Sequence, residues 1–342
     1  MSSKYLLDLA VDSQVVGLVL AVIFNSVLLF LLVFRANPNF GNYKNLMIIY
    51  VAIEMVYSII GFSTSSGAHS SGSAYVVFRK YNGPNRTIAP IFILQFCTIV
   101  YILLLVLGIH YIYRFVAVCH SRHQYLFAGH RLLYWIGGAV VVGLFCSALK
   151  YFFLGENELA TEFLRDEFWR EYGLKMEDIV YNGPIYYLCD KDHNCGSSPM
   201  VWITTMVKIV ALIACFFLML AFGYLTYSNL NQSGGRLSLK TLQMQKQLMI
   251  VLMIQSGIPI IFMYIPISFM FISPIFGYGI GAYANIMIAC IAIYPPLDQL
   301  ATMYVIRDFR IAIKKALGFG EESTSKISSV GTANGHVTSA TN

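Results

Sequence analysis

The side chains that could do chemistry in this sequence are few and scattered. Its seven cysteines stand at positions 97, 119, 146, 189, 195, 215 and 290, and no two of them have the spacing of a metal-binding pair. The sequence contains no HExxH motif, no glycine-rich phosphate-binding loop and no recognisable pair of nucleophile and base. It therefore predicts neither an enzyme nor a bound metal or cofactor.

Four ionisable side chains stand inside the otherwise apolar stretches: Glu54, Lys150, Lys208 and Asp298. A charge is costly to bury, so residues of this kind face other polar groups inside a helix bundle. Lys208 is an amine that needs either a partner or a ligand. These residues therefore indicate polar positions in the interior of a bundle of apolar helices.

Seven long apolar stretches provide those helices. Hydrophobic residues make up 57% of the 342 and charged residues only 12%, about half the share that is typical of a soluble domain. Crossing a bilayer core takes about 20 apolar residues in a helix. The predicted spans are residues 14–34, 45–63, 89–113, 132–154, 201–227, 247–272 and 279–304. The predicted fold is an all-α membrane protein with seven transmembrane helices.

The basic residues predict the orientation of these spans. Lys and Arg exceed Asp and Glu on the side of the C-terminus, whereas the segment 155–199 on the other side holds ten acids and four bases. Because cytoplasmic loops are the basic ones, the N-terminus is predicted outside and the C-terminus inside. The basic loop 79–86 is the one contrary signal. With this orientation the sequon at Asn85 is glycosylated and the sequon at Asn231 is not.

Three segments of the sequence resemble one family of receptors. They are HYIYRFVAVCH (110–120), LSLKTLQMQKQLMIVLMIQSGIPIIFMYIP (237–266) and YPPLDQLATMYVIRDFRIAIKKALG (294–318). In this order they are similar to the Str-type serpentine chemoreceptors of nematodes, and the resemblance covers about residues 10 to 318. It implies a rhodopsin-like topology and a plasma-membrane receptor of sensory-neuron cilia. It also implies the partners: an odorant or other small chemical ligand, a heterotrimeric G protein and the lipid bilayer, with no nucleic acid.

The resemblance also implies switch residues at the inner ends of the helices. Tyr113 and Arg114 stand where rhodopsin-like receptors keep an Arg inside an acid-Arg-Tyr tripeptide, and here the acid that usually holds the Arg is missing. The alternative is that Arg114 only anchors the helix end at the membrane surface. Pro295, Pro296 and Asp298 stand at the position of an Asn-Pro switch, with a static kink as the alternative.

A polar cluster of Asn25, Glu54 and Asp298 is predicted from helix depth. Asn25 and Glu54 each lie nine residues from the inner ends of their predicted spans, which is about 13 Å above the inner face. Asp298 lies slightly lower on the seventh span. Two carboxylates brought together at this depth are expected to share a proton or a cation. The alternative is a protonated Glu54 that bonds to a backbone carbonyl.

A ligand pocket is expected among the outer halves of the third, fifth, sixth and seventh spans. The residues at suitable depth that can make polar contacts are Gln95, Tyr101, Lys208, Tyr264, Tyr283 and Asn285. Taken singly, each of them is more often a core residue than a ligand contact.

Cys189 and Cys195 flank five polar residues in the segment 155–199. An oxidising exterior favours a local disulfide between them. The alternatives are two free thiols or a bond from one of them to Cys97.

The chain is predicted to divide into an extracellular N-terminus (1–13), the seven-helix receptor domain (14–304, with the extracellular loop 155–199), a short amphipathic eighth helix at the membrane surface (305–317) and a disordered cytoplasmic tail (318–342).

The competing function is a small-solute transporter or channel. That function predicts internal repeats or a file of polar residues, and neither is visible.

Overall fold

Seven apolar helices form the body of the protein. A computed structural model describes residues 2–36, 40–81, 83, 86, 88–189, 195–232 and 239–318, except for the side chains of Cys189, Cys195 and Lys240. Within these ranges, the helices long and apolar enough to cross a membrane are Ser3–Phe34, Tyr43–Thr64, Ala89–Cys119, Arg131–Phe153, Pro199–Gln232, Thr241–Phe276 and Ala284–Val305. The prediction of seven spans is confirmed.

The described part of the chain contains ten α-helices, numbered in chain order. They are α1 (Ser3–Phe34), α2 (Tyr43–Thr64), α3 (Ala89–Cys119), α4 (Arg131–Phe153), α5 (Glu158–Tyr172), α6 (Pro199–Gln232), α7 (Leu239–Pro259), α8 (Ile265–Ile272), α9 (Ala284–Val305) and α10 (Arg307–Ala316). The first four spans are α1 to α4, the fifth is α6 and the seventh is α9. The sixth span consists of α7 and α8, joined by a π-helical stretch, Ile260–Tyr264. The N-terminal face of the bundle is where α1 begins, and the C-terminal face is where α9 ends.

The outward surfaces of the spans are as apolar as their packed surfaces. Leu28, Val106 and Leu252 are almost fully buried in the main core, whereas Val141 and Phe217 are each more than 60% exposed. A soluble helix would place polar residues on its exposed face. Apolar side chains on both faces are what a helix surrounded by lipid requires.

A three-stranded antiparallel sheet lies over the N-terminal face, and the apolar stretches did not predict it. Its strands are β1 (Gly67–Ser71), β2 (Ala74–Lys80) and β3 (Ile179–Asn182), in that order. Val76 and Phe78 of β2 pack toward α5, while Tyr75 and Val77 pack toward the spans, as the two-residue period of a strand requires. β2 is therefore buried on both faces, between α5 and the bundle.

Helix α5 covers the outer side of this sheet. Asn157 caps its N-terminus by accepting a hydrogen bond from the backbone N–H of Ala160, and Gly173 ends it in the left-handed conformation at φ +65°. Ala160, Leu164, Phe168 and Tyr172 recur every four residues and form its buried stripe. We refer to β1, β2, β3 and α5 together as the cap.

Two predicted boundaries were wrong because of the cap. The first helix begins at Ser3 rather than at residue 14, so the predicted N-terminal segment 1–13 is helical from Ser3 onward. Its first turns pack Leu6 and Leu7 into the core of the cap. The segment 155–199, predicted as a loop, contains α5, β3 and the short strands β4 (Leu188–Cys189) and β5 (Cys195–Gly196). These elements bury apolar side chains that are too few to register as membrane spans.

Charged residues fasten the cap to the neighbouring segments. Arg86, from the basic loop 79–86, donates to the backbone carbonyl of Ile179 at 2.8 Å and pairs with Glu156 at 3.2 Å. The ring of His69 lies between Glu167 and Tyr172 of α5, at 3.3 and 3.1 Å. Burial raises the pKa of Glu167, but its hydrogen bonds with His69 and Ser71 outweigh burial and hold the pKa below the usual carboxyl value.

The short helix α10 follows the seventh span and matches the predicted amphipathic eighth helix. Phe309 is fully buried and contacts Phe40 edge to face, with 6.4 Å between the ring centroids. Lys314 and Lys315 are exposed on the opposite side. Residues 319–342 of the predicted tail and the sequon residue Asn85 lie outside the described residues, so those two predictions stay predictions.

Candidate functional site

A cavity of about 140 Å³ lies inside the bundle, directly beneath the cap. Its walls come from the third to the seventh spans and from Tyr75 and Val77 of β2. Most of the lining side chains are Val, Ile, Leu and Phe. This is the concave, largely apolar site with a few polar groups that small-molecule binding requires.

Two amines face this apolar cavity. Lys150 of α4 and Lys208 of α6 both line it, and the two residues are 7% and 2% exposed. Lys150 Nζ donates to the thiol of Cys97 at 3.0 Å. Because Cys97 is a free thiol that points to this amine, it does not pair with Cys189 or Cys195. The side chains of Cys189 and Cys195 are not described, although their backbones pair between β4 and β5, and the local disulfide stays a prediction.

Two of the six predicted pocket residues line the cavity, Tyr101 and Lys208. Gln95 and Tyr283 were wrong predictions, because both side chains are exposed on the surface, Tyr283 at 56%. Sequence depth places a residue along the membrane normal, but it does not fix the rotation of its helix. Gln95 therefore lies at a suitable depth on its helix, but its side chain is on the outer surface and not at the cavity.

Tyr264 and Asn285 are buried but also lie away from the cavity. Tyr264 packs against Phe216, with ring centroids 5.9 Å apart. Asn285 accepts a hydrogen bond from the backbone N–H of Ala68 at 3.0 Å and donates to Tyr172 at 3.1 Å. Asn285 therefore ties the seventh span to the sheet and to α5, and its role is to hold the cap.

The two membrane-embedded acids lie next to each other in the centre of the bundle. Glu54 and Asp298 are both fully buried, and the carboxyl group of Asp298 is the neighbouring charge that acts on Glu54. The hydroxyl of Tyr294 donates to Glu54 Oε1 at 2.8 Å. Among the described residues, Glu54 Oε2 and both oxygens of Asp298 have no well-aligned hydrogen-bond partner. Acceptors buried in this way need a proton, water or a cation.

Asn25, the third member of the predicted cluster, is buried at a similar depth. Its side-chain N–H donates to the carbonyl of Ala21 in its own helix at 2.8 Å. Its Oδ1 has no partner within the described part of the chain. No direct contact joins it to either acid there, so the structure brings together two of the three predicted residues.

Pro295 and Pro296 leave two backbone carbonyls of the seventh span without their helical donors. A helix bonds each N–H to the carbonyl four residues earlier, so the carbonyls of Ile291 and Ala292 lose their partners. The hydroxyl of Tyr57 donates to Ile291 O at 2.7 Å. The carbonyl of Ala292 faces the first span at Gly17, where a Cβ would stand 2.4 Å from Ala292 O. Tyr57 therefore compensates the missing donor at Ile291, and the lack of a side chain at Gly17 leaves room for the carbonyl of Ala292.

Arg114 is fully buried near the C-terminal face, where it links two spans. One guanidinium nitrogen donates to the backbone carbonyl of Gln245 in the sixth span at 2.8 Å. The guanidinium also lies over the ring of Tyr43, 5.3 Å from its centroid, and Tyr113 stacks on that ring at 5.5 Å. Arg114 is thus not a solvated anchor. Gln245 and Tyr43 hold it in place of the acid that its tripeptide lacks, and we call these three residues the latch.

The sixth span connects the cavity to the latch. Its half α8 lines the cavity with Ile267 and Ser268, while its half α7 carries Gln245. Between the two halves lies the π-helical stretch Ile260–Tyr264, which follows Pro259. Ser256 on this span also donates to the hydroxyl of Tyr111 at 2.8 Å. A π-helical stretch is a point at which a helix can change its hydrogen-bond register.

Several residues of the site were missed by the sequence analysis. Tyr43, Tyr50 and Tyr57 recur every seven residues, which places them on one face of α2. On that face, Tyr43 contacts Arg114, Tyr50 lies within hydrogen-bond distance of Tyr294, and Tyr57 donates to the backbone carbonyl of Ile291. The repeat was therefore a readable signal. Cys97 has no such signal, because it meets Lys150 only through the packing of α3 on α4.

Seven spans around a capped cavity, with a buried arginine near the opposite face, define a receptor of the seven-helix class. The sequence profile described as "Serpentine type 7TM GPCR chemoreceptor Str" matches residues 11–314. The chain belongs to this family. It is a G-protein-coupled chemosensory receptor and a multi-pass membrane protein, and the family is not one of enzymes.

Relatives and solved structures agree with this assignment. The chain is 29% identical over 317 residues to "Serpentine receptor class r-10" of Caenorhabditis briggsae, which covers 92% of each chain. It is 22% identical over 313 residues to "G-protein coupled receptor str-33" of Caenorhabditis elegans, covering 90% of each. A crystal structure of squid rhodopsin shares the fold with a TM-score of 0.56, at 10% identity, over 93% of this chain and 87% of that one. The alternative of a transporter is not favoured.

Proposed function

We propose that this receptor binds a small environmental molecule in the cavity beneath the cap and passes the signal through the sixth span to a heterotrimeric G protein at the C-terminal face. The observation that carries the proposal is the position of that span, which lines the cavity at one end and holds Arg114 at the other. A ligand that moves α8 acts on α7 through the π-helical stretch. Release of Arg114 from Gln245 then opens the C-terminal face.

The proposed orientation has the cap and the N-terminus outside the cell. The acidic segment 155–199 lies in and around the cap, and it pairs with the basic loop 79–86 through Arg86. One of the three bases of that loop, Arg86, is thus paired with an acid of the segment. This supports an outer cap, and the excess of bases on the C-terminal side supports a cytoplasmic latch. By family, we place the receptor in the plasma membrane of sensory-neuron cilia.

Glu54, Asp298 and the two prolines are proposed as the core of the switch. The fully buried acids hold acceptors without well-aligned partners, and the prolines sit in the same turn of the seventh span as Asp298. Rearrangement of the seventh span would change the distance between the acids. A change in that distance alters the free-energy cost of an ionised carboxylate at Glu54 or Asp298.

Expression in a heterologous cell tests the proposed function. Cells that carry the receptor are exposed to a panel of volatile and water-soluble compounds, while calcium or cAMP is recorded beside uptake of the same compounds. We expect a second-messenger response without uptake for at least one compound. Uptake without any second-messenger response would contradict the proposal.

A further inference from the structure

The described walls of the cavity beneath the cap carry amines without a matching acid. Lys150 and Lys208 are two buried amines in one cavity, and none of the described Asp or Glu residues lines it. The ionisable groups that act on Lys208 are Lys150 and the thiols of Cys97 and Cys146. The described lining therefore offers positive charge and no carboxylate.

Among the described residues, the head group of Lys208 has no hydrogen-bond or ion-pair partner. Lys150 has one contact there, with the sulfur of Cys97, and a thiol is a weak acceptor. Amines buried in a low-dielectric interior need a counter-charge or strong acceptors. A ligand can supply the counter-charge that the described residues do not provide.

We propose that the ligand of this cavity is a small organic monocarboxylate. Its carboxylate is held between Lys150 and Lys208, and its apolar body packs against the apolar walls, which include Ile267 and Phe271. The inference rests on the proposed function, because it names the class of molecule that the receptor detects. It assigns the polar end of the ligand to the fourth and fifth spans and the apolar end to the sixth.

The size of the cavity limits the ligand. An apolar protein cavity of about 150 Å³ holds one benzene molecule. A cavity of about 140 Å³ therefore accommodates about six to ten non-hydrogen atoms when its walls adjust slightly. This range fits carboxylic acids of about four to eight carbons and simple aromatic acids.

Other chemical classes fit the cavity less well. A protonated amine would be repelled by two lysines, and a neutral hydrocarbon would leave Lys208 without an acceptor and Lys150 with only a thiol. An inorganic anion would leave most of the apolar wall without a contact. A neutral carbonyl compound could accept a hydrogen bond but would bring no counter-charge. A molecule with one anionic end and an apolar body satisfies both parts of the cavity best.

Thermal stabilisation of the purified full-length receptor in lipid nanodiscs tests the inference without a G protein. The probes are butanoate, hexanoate, octanoate and benzoate, each beside the alcohol, the aldehyde and the amine with the same carbon skeleton. We expect at least one carboxylate to raise the unfolding temperature, with an apparent affinity at least tenfold higher than that of its matched alcohol. The amine is expected to have no effect.

Lysine variants show whether the effect belongs to this cavity. Lys208→Met and Lys150→Met keep the approximate length of the side chain and remove the charge, so each is expected to weaken carboxylate affinity more than tenfold. Lys208→Arg keeps the charge and is expected to recover part of the loss. Lys44→Met is the control, because Lys44 is at the C-terminal face and bonds to Val33 O at 3.0 Å. It should leave the affinity unchanged.

Two results would overturn the inference. One is stabilisation by alcohols or aldehydes but by none of the carboxylates. The other is a carboxylate effect that survives in both Lys→Met variants. If carboxylates stabilise the receptor through Lys208 but evoke no second messenger in cells, the inference stands and the proposed function fails. If neutral odorants signal and carboxylates neither bind nor signal, the inference fails and the proposed function stands.

Discussion

At the scale of single residues, Arg114 has two contacts that hold it in place. The backbone carbonyl of Gln245 is present whatever residue stands there, whereas the ring of Tyr43 can be removed by substitution. We predict that Tyr43→Leu raises ligand-independent signalling several-fold, because a cation–π contact contributes about 0.5 to 2 kcal/mol and this one lies 5.3 Å from the ring centroid. Tyr43→Phe keeps the ring and is the matched control. Basal second messenger, divided by surface expression, measures the effect. Equal basal signals from the two variants would argue against the latch.

The neighbouring carboxyl groups of Glu54 and Asp298 should behave as one unit. Both are fully buried and act on each other. Removing one carboxyl group therefore changes the free-energy cost of ionising the other. We predict that Glu54→Ala and Asp298→Ala each shift basal signalling. We also predict that the double variant differs from the sum of the two. Strict additivity in the same signalling measurement, with surface expression matched, would show that the acids are independent.

Some individual residues of the site are readable from the sequence, and others are not. A charge in an apolar run has few explanations, which is why Glu54, Lys150, Lys208 and Asp298 stand out. Arg114 stands out through the family resemblance of its tripeptide. Their partners do not stand out. The acceptor for Arg114 is the backbone of Gln245, and any residue type supplies a backbone carbonyl, so no sequence pattern marks that position.

At the scale of elements, the first and the seventh spans approach each other closely at Gly17. A Cβ there would stand 2.4 Å from Ala292 O. We predict that Gly17→Ala lowers receptor stability by about 1 to 3 kcal/mol, because the overlap forces the two helices apart. Gly138→Ala is the control, since a Cβ at Gly138 meets nothing within 4 Å. It should leave stability unchanged or raise it by up to about 1 kcal/mol. The unfolding temperatures of the purified variants measure both, and an equal fall for the two would refute the close contact.

The spans were predictable as elements and the cap was not, for a physical reason. A transmembrane helix needs a long apolar run, which composition alone reveals. The cap is built from short elements, and the buried residues of α5 are spaced by four among charged ones. Its signals were nevertheless present. Asn157 and Gly173 are the capping residues of a helix, and Ser-Gly-Ser before Ala74 is a hairpin turn with Gly72 at φ +49°.

At the scale of the whole molecule, the proposed function requires the cap outside the cell and the latch inside. We predict that Asn85 carries a glycan in cells that glycosylate and that Asn231 does not, since only the first sequon is placed outside by the charge distribution. Glycosidase-sensitive mass shifts in wild type, Asn85→Gln and Asn231→Gln measure this. Asn231→Gln also serves as the control for the substitution itself. A glycan on Asn231 would reverse the orientation, and with it the roles of the two faces.

Occupancy of the cavity is proposed to reach the C-terminal face through the sixth span. Nucleotide exchange on a heterotrimeric G protein tests this step, with purified receptor in nanodiscs and the most potent compound from the cell panel. We predict that the compound accelerates exchange by wild type, and that Arg114→Ala binds it with unchanged affinity but does not accelerate exchange. Equal acceleration by wild type and Arg114→Ala would contradict the claim.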